Sequence, residues 1–204
     1  MPGRNLEKIY VADAYYHVYA RGHNEDTIFR ESSDYAVFLN LFKRYLSSQP
    51  AKDNKGREYP WLQSDIKLLA FCLMPNHFHA LIYQKMPDAM TRLFKSVITT
   101  YGMYFNKKYK LSGPVLQSRF RASLIDNDAY LIHISRYIHL NPKNYQSWKF
   151  SSLPHYLRKQ SAEWIRPKKI TGLFDSPQEY RDFLEDYKDR KHMLDLIKSE
   201  LADH

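Results

Sequence analysis

The sequence predicts an α+β fold: one antiparallel sheet with helices packed on one face, followed by a C-terminal helical extension. Three observations predict it. Short runs of β-formers alternate with segments of helical period in the order β-α-β-β-α-β, with a further helix after them. Two of the runs are separated only by Met74-Pro75-Asn76, which is turn chemistry and makes them a hairpin. The chain has 204 residues, enough for one domain that buries roughly 70% of the surface its unfolded form exposes.

The first strand is Ala14-Tyr15-Tyr16-His17-Val18-Tyr19-Ala20-Arg21, rich in β-formers and ended by Gly22. A helix follows, capped by Ser32 or Ser33, in which Tyr35, Phe38, Leu39, Phe42 and Leu46 recur at helical spacing. Residues 47–59, with Pro50, Asn54 and Gly56, read as a loop. The continuous apolar run 66–73 is the second strand and residues 77–83 the third. The next helix has Pro87 in its first turn and an apolar stripe of Met90, Leu93, Phe94, Val97, Tyr101, Tyr104 and Phe105. Residues 118–126 form the fourth strand, and Asp126 caps a helix that runs to Asn141-Pro142. Together these give a ferredoxin-like α+β layer. From residue 143 the chain is more polar, with a turn at Trp148-Lys149-Phe150, the basic Arg166-Pro167-Lys168-Lys169 and a charged terminal helix from about Pro177.

Lysine and arginine outnumber aspartate and glutamate 31 to 22, giving a net charge of +9, and 15% of the residues are aromatic. Cations that meet phosphates, interleaved with rings that stack on bases, suit nucleic acid. The single cysteine, Cys72, lies in an apolar run and has no intrachain disulfide partner, which fits a reducing cytoplasm. Neither a signal-peptide core near the N-terminus nor an apolar stretch of membrane-spanning length is present, so the expectation is a cytoplasmic protein without a membrane partner.

The most informative stretch is Met74-Pro75-Asn76-His77-Phe78-His79-Ala80-Leu81-Ile82-Tyr83. Side chains alternate along a strand, so His77 and His79 leave one side while Phe78, Ala80 and Ile82 leave the other. Two neutral imidazoles side by side are a pair of metal ligands; hydrogen-bonded strand histidines are an equal reading of the pair alone. On the helix that Asp126 caps, Ser135-Arg136-Tyr137-Ile138-His139-Leu140-Asn141-Pro142 places Tyr137 and Asn141 one turn apart, so that a phenol and an amide project together. Tyr130 and His133 share that stripe, while Leu131, Ile134 and Ile138 form an apolar stripe beside it. A tyrosine at such a border is more often a packing residue.

The hairpin with its two histidines, the helix with Tyr137 and Asn141, and the approach Gly113-Pro114-Val115-Leu116-Gln117-Ser118-Arg119-Phe120 resemble, in order and spacing, the HUH (His-hydrophobic-His) single-tyrosine transposases. The branch most similar is that of the REP-associated tyrosine transposases. The resemblance runs from His17-Val18-Tyr19-Ala20-Arg21-Gly22 through Asn141-Pro142, and more loosely through 148–156 and 174–183.

The resemblance implies a catalytic domain over residues 1–145 and an extension over 146–204 packed on the same domain. It implies that His77 and His79 bind a divalent metal, Mg²⁺ or Mn²⁺, with Asn141 as a third ligand or as a group that supports the ligands, and that Tyr137 is the nucleophile. The family position of Asn141 is often glutamine, and a tryptophan commonly stands near Val115-Leu116. The expected activity is cleavage and rejoining of single-stranded DNA, as hairpin-forming repeats, through a 5′-phosphotyrosine bond, by a monomer or homodimer. Arg21, Arg92, Lys95, Arg119 and Arg121 are the expected DNA contacts. Two alternatives compete: a non-catalytic nucleic-acid-binding descendant, against which the intact His77, His79 and Tyr137 argue, and a metal-dependent hydrolase using water, for which no second His-x-His pair or carboxylate cluster is present.

Overall fold

The computed structural model describes residues 10–117 and 119–186. Expectations for residues 1–9, for Ser118 and for 187–204, including the end of the charged terminal helix and of the C-terminal extension, lie outside the described residues. Four strands, β1 (Ala14–Arg21), β2 (Ile66–Met74), β3 (His77–Gln84) and β4 (Arg121–Ile125), form one antiparallel sheet in the order β2-β3-β1-β4. Helix α1 (Ser32–Leu46) follows β1, α2 (Ala89–Tyr109) follows β3, and α3 (Asp128–Leu140) follows β4. The short α4 (Leu153–Tyr156) and α5 (Lys168–Thr171) and the longer α6 (Pro177–Glu185) complete the chain.

The α+β class and the antiparallel sheet are those the sequence indicates, and α1 and α2 share one face as expected. They bury Phe38, Phe42, Leu93, Phe94 and Val97 against Val18, Leu68, Phe78, Ala80 and Ile82. The other face is covered too, which corrects the placement of all helices on one side. There α3, with α4, α5 and α6, packs Leu131, Ile134, Ile138, Tyr156 and Tyr180 on Leu69, Ala70, Cys72 and Leu81. The continuous apolar run of β2 is the sequence sign of this, because a strand covered on both faces has no polar side to alternate with.

A register shift at Leu69 sets the phase of β2. Beyond this bulge, Cys72 faces His79 and Met74 faces His77 across the hairpin, so both histidines lie on the α3 side.

Four boundaries differ from the sequence reading. Helix α2 starts at Ala89 with Asp88 as its cap, so Pro87 precedes its first turn. The cap of α1 is Glu31, in a reciprocal capping box with Asp34, in place of Ser32 or Ser33; Asp34 also accepts from Lys108 Nζ and Tyr109 Oη, both at 2.7 Å, and so ties α1 to α2. Helix α3 is capped by Asn127, whose side chain accepts from the Tyr130 N–H at 2.7 Å, in place of Asp126. Strand β4 starts at Arg121, since the preceding segment instead joins the end of β1, through the Gly22–Leu116 bridge and the Gln117 N–H to Arg21 O bond.

Candidate active site

The hairpin loop is pinned from one side by the chain that leaves β1. Pro75 O accepts from the N–H groups of Ile28 and Phe29 at 2.8 and 2.9 Å, and Asn76 O accepts from Gly22 N–H at 2.8 Å. Gly22 permits this close approach: a Cβ there would stand 2.0 Å from Asp26 O. The result fixes Arg21 opposite His77, and Tyr19 opposite His79.

Both ring nitrogens of His77 face amide oxygens. Its Nδ1 lies 2.7 Å from Asn76 Oδ1 and its Nε2 lies 3.1 Å from Asn141 Oδ1. Asn76 Nδ2 donates to Glu25 O at 3.3 Å, which orients the amide with its oxygen toward the ring, so His77 Nδ1 carries the hydrogen. In the neutral ring Nε2 then presents a lone pair to Asn141 Oδ1. Burial, with Arg21 nearby, outweighs the Asn141 contact and lowers the His77 pKa. Two acceptors at this separation form an edge of about 3.0 Å in an octahedron of metal–ligand distance about 2.1 Å. The donor set therefore fits a small divalent cation, and the contact to Asn76 holds the His77 imidazole in the tautomer that a ligand role would need.

His79 is buried, with its Nδ1 2.9 Å from Nε2 of the equally buried His17. Burial holds the His17 pKa down to about 3, and burial together with His17, His77 and Arg21 holds His79 well below its ordinary value. All three imidazoles are thus uncharged at neutral pH. No group of three or more His, Cys, Asp or Glu side chains suited to a metal occurs among the described residues; the amide oxygen of Asn141 is the oxygen that stands beside His77 Nε2. Cys72 lies opposite His79, but burial pushes its thiol pKa up, which keeps the sulfur protonated and a poor ligand.

Tyr137 closes the group from α3, its ring centroid 5.2 Å from that of His79 and 5.8 Å from that of His17. Burial and Tyr19 raise its pKa, while Arg21 and a hydrogen bond from Asn141 pull it down. The structure thus brings together the four residues singled out from the sequence, His77, His79, Tyr137 and Asn141.

The five expected DNA-contact cations divide. Arg21 and Arg121 stand on the α3 side of the sheet, exposed, in register with His77 and Tyr19; Arg21 pairs with Glu25 at 2.7 Å. Arg92 and Lys95 are on α2, so the sheet separates them from the histidines, and Arg92 is held by Asp65 at 2.6 Å and Asp88 at 3.0 Å. Arg119 lines a depression against Ile98, Tyr101 and Gly102 of α2. A charge off the apolar stripe of a helix reveals exposure and says nothing of which sheet face the helix covers.

Sequence reasoning missed His17, Tyr19 and Asn76. Their signal was present: His17 and Tyr19 share a strand face in β1 by the same alternation that aligned His77 with His79, but the β1–β3 register was needed to bring the two pairs together.

A family model described as "Transposase IS200 like" matches residues 61–141. The chain is also similar to a solved structure described as a REP-associated tyrosine transposase bound to a REP hairpin, at 14% identity and a TM-score of 0.57, over 80% of this chain and 92% of that one. At that identity the likeness shows a common fold. No curated protein matches the chain.

Proposed function

We propose that the chain, whose residues 61–141 match the family model described as "Transposase IS200 like", cleaves and rejoins single-stranded DNA through a phosphotyrosine intermediate formed by Tyr137. The observation that carries the reading is the convergence of Tyr137 and Asn141 from α3 on His77 and His79 from β3. One chain supplies all four, so the reading requires no second copy.

In the proposed reaction the Tyr137 phenol oxygen attacks phosphorus, its proton departs, and the 3′ oxygen leaves as a free hydroxyl. The phosphodiester energy is kept in the 5′-phosphotyrosine bond, so a second 3′ hydroxyl can reverse the step and join new ends. The phenol is a poor nucleophile while its pKa is raised; Arg21 and Asn141 are the groups of this chain that favour the phenolate. His77, His79 and Asn141 would hold Mg²⁺ or Mn²⁺, which when bound supplies Lewis-acid charge withdrawal at the scissile phosphate. The Asn76 and His17 contacts hold the two rings in place. The substrate proposed is DNA whose repeats fold into hairpins, supported by the net charge of +9.

The reading is tested by incubating the protein with labelled single-stranded hairpin DNA and Mn²⁺. A denaturant-resistant adduct is expected. Release of cleaved DNA without attached protein would instead identify a hydrolase, and binding without cleavage a non-catalytic module. Among the described residues no helix is long and apolar enough to cross a membrane.

A further inference from the structure

A group of cations free to meet a polyanion lies away from the candidate active site. Among the described residues, ion pairs engage Arg21, Lys52, Arg57, Arg92 and Lys108. None engages Arg158, Lys159, Arg166, Lys168, Lys169 or Lys67. These six are brought together by the segment that follows α4, which turns back along the edge strand β2: Arg166 N–H donates to Leu68 O at 2.8 Å.

Arg158, Lys159, Arg166 and Lys168, with His155, line an open groove of about 710 Å³. Its one carboxylate, Glu163, is already bonded by Ser48. Lys169 continues the tract onto the sheet, its Nζ 3.9 Å above the Tyr83 ring and 3.3 Å from Tyr15 Oη. Lys67 stands opposite Tyr83. Like charges gathered with a single carboxylate among them repel, as the lowering of the Lys67 pKa by burial and then by Arg166, Lys85 and Lys169 records. A bound polyanion removes that repulsion.

We propose that the edge of β2 is a second DNA-contact surface, where Lys67, Arg158, Lys159, Arg166, Lys168 and Lys169 hold backbone phosphates of the DNA distant from the cleaved bond. The proposal rests on the reading that DNA is the substrate. The groove lining is mostly cationic and polar, and its one ring, the imidazole of His155, is half-buried, so it grips phosphates and does not stack bases. This points to the paired stem of a hairpin. Tyr83, opposite Lys67, is six positions beyond His77 on β3. At about 3.3 Å per residue that is about 20 Å, the length of roughly six base pairs at 3.4 Å each. A stem longer than this reaches Lys67 and Lys169 at the near end of the tract, and a shorter one does not.

The test compares the whole wild-type chain with a variant carrying Arg158→Gln, Lys159→Gln and Lys168→Gln, three exposed residues, and a control carrying Lys95→Gln, Lys107→Gln and Lys110→Gln on or beside α2. Binding of hairpins with stems of about four and about twelve base pairs is followed by fluorescence anisotropy against salt. For the long stem the groove variant should lose tenfold or more in affinity, and its log–log salt slope should flatten by up to about 2.7, at 0.9 per phosphate contact. The short stem should be affected much less, and the control should retain the wild-type slope. Equal losses on both stems, an unchanged slope, or displacement of the long stem by polyglutamate as readily as by unlabelled DNA would overturn the proposal. Adduct formation on a short unpaired oligonucleotide, measured separately, should be unchanged in the groove variant. Failure of wild type to form any adduct, with the stem-dependent loss intact, would remove the active-site reading and leave the groove standing.

Discussion

His17 Nε2 lies 2.9 Å from His79 Nδ1, and His17 Nδ1 is buried without a hydrogen-bond partner. One hydrogen is shared along that contact. When it belongs to His79 Nδ1, the neutral His79 ring has its lone pair on Nε2 and can ligate a metal through that atom; when it belongs to His17, Nε2 of His79 carries the hydrogen instead. His17 is therefore placed to govern the tautomer of His79. His17→Phe should keep the fold and weaken Mn²⁺ binding by about 10–100-fold, the usual effect of losing such an outer contact. Calorimetric titration with Mn²⁺ measures this, and an unaltered affinity would show that the contact only fills space.

His77→Ala and His79→Ala should each abolish adduct formation and leave most DNA binding intact. His77 and His79 face α3, whereas Phe78 and Ala80 between and beside them fill the other core, so the α1–α2 layer is undisturbed. Full activity of either variant at limiting Mn²⁺ would remove the histidines from the metal site.

The adduct should map to the peptide that contains Tyr137. Two other tyrosines compete: Tyr130, earlier on α3, and Tyr19, whose ring centroid is 5.9 Å from that of His79. Tyr19 is fixed on the central strand β1 with its hydroxyl buried, whereas Tyr137 has the Asn141 amide one turn onward. Tyr137→Phe should abolish the adduct with little change in thermal stability, and an adduct surviving in that variant would refute the assignment.

Acid should unfold the protein from about pH 6.5 downward. Burial depresses the folded-state pKa of both His17 and His139 to about 3, so between that value and the unfolded 6.5 the unfolded chain binds more protons. Stability then falls as pH falls, by up to about 1.4 kcal/mol per pH unit for each such histidine. His139 bonds Tyr180 Oη and Ser152 Oγ, both at 2.7 Å, and so joins α3 to α6 and to the start of α4, where Ser152 Oγ accepts from Phe71 N–H of β2. Urea melts at pH 7 and pH 5 measure the slope, and His139→Gln should lessen it while lowering stability at pH 7.

Gly22→Ala should destabilise by about 3 kcal/mol, the upper range for overpacking, because the new methyl meets Asp26 O and must push the 22–29 segment off the hairpin loop. Thermal melting gives the loss. Since the same segment holds Pro75 and Asn76, Mn²⁺ affinity should fall with it.

The sequence by itself determined the four strands, α1 to α3 and the start of α6, though not the short α4 and α5, because hydrophobic period and turn residues are local: the spacing that aligned His77 with His79, and Tyr137 with Asn141, needs only the geometry of a strand and of a helix. It also held the sign that both faces of β2 are covered. What it could not contain is the pairing between distant elements. The β1–β3 register set His17 against His79, the bulge at Leu69 put Cys72 opposite His79, and the position of α3 on the second face brought Tyr137 to the histidines. The same limit governed the cations: Arg92 and Arg166 are equally charged in sequence, and only the tertiary structure set Arg92 between two carboxylates and left Arg166 beside other cations. Charge is a property of a residue, but its availability depends on what the fold packs against it.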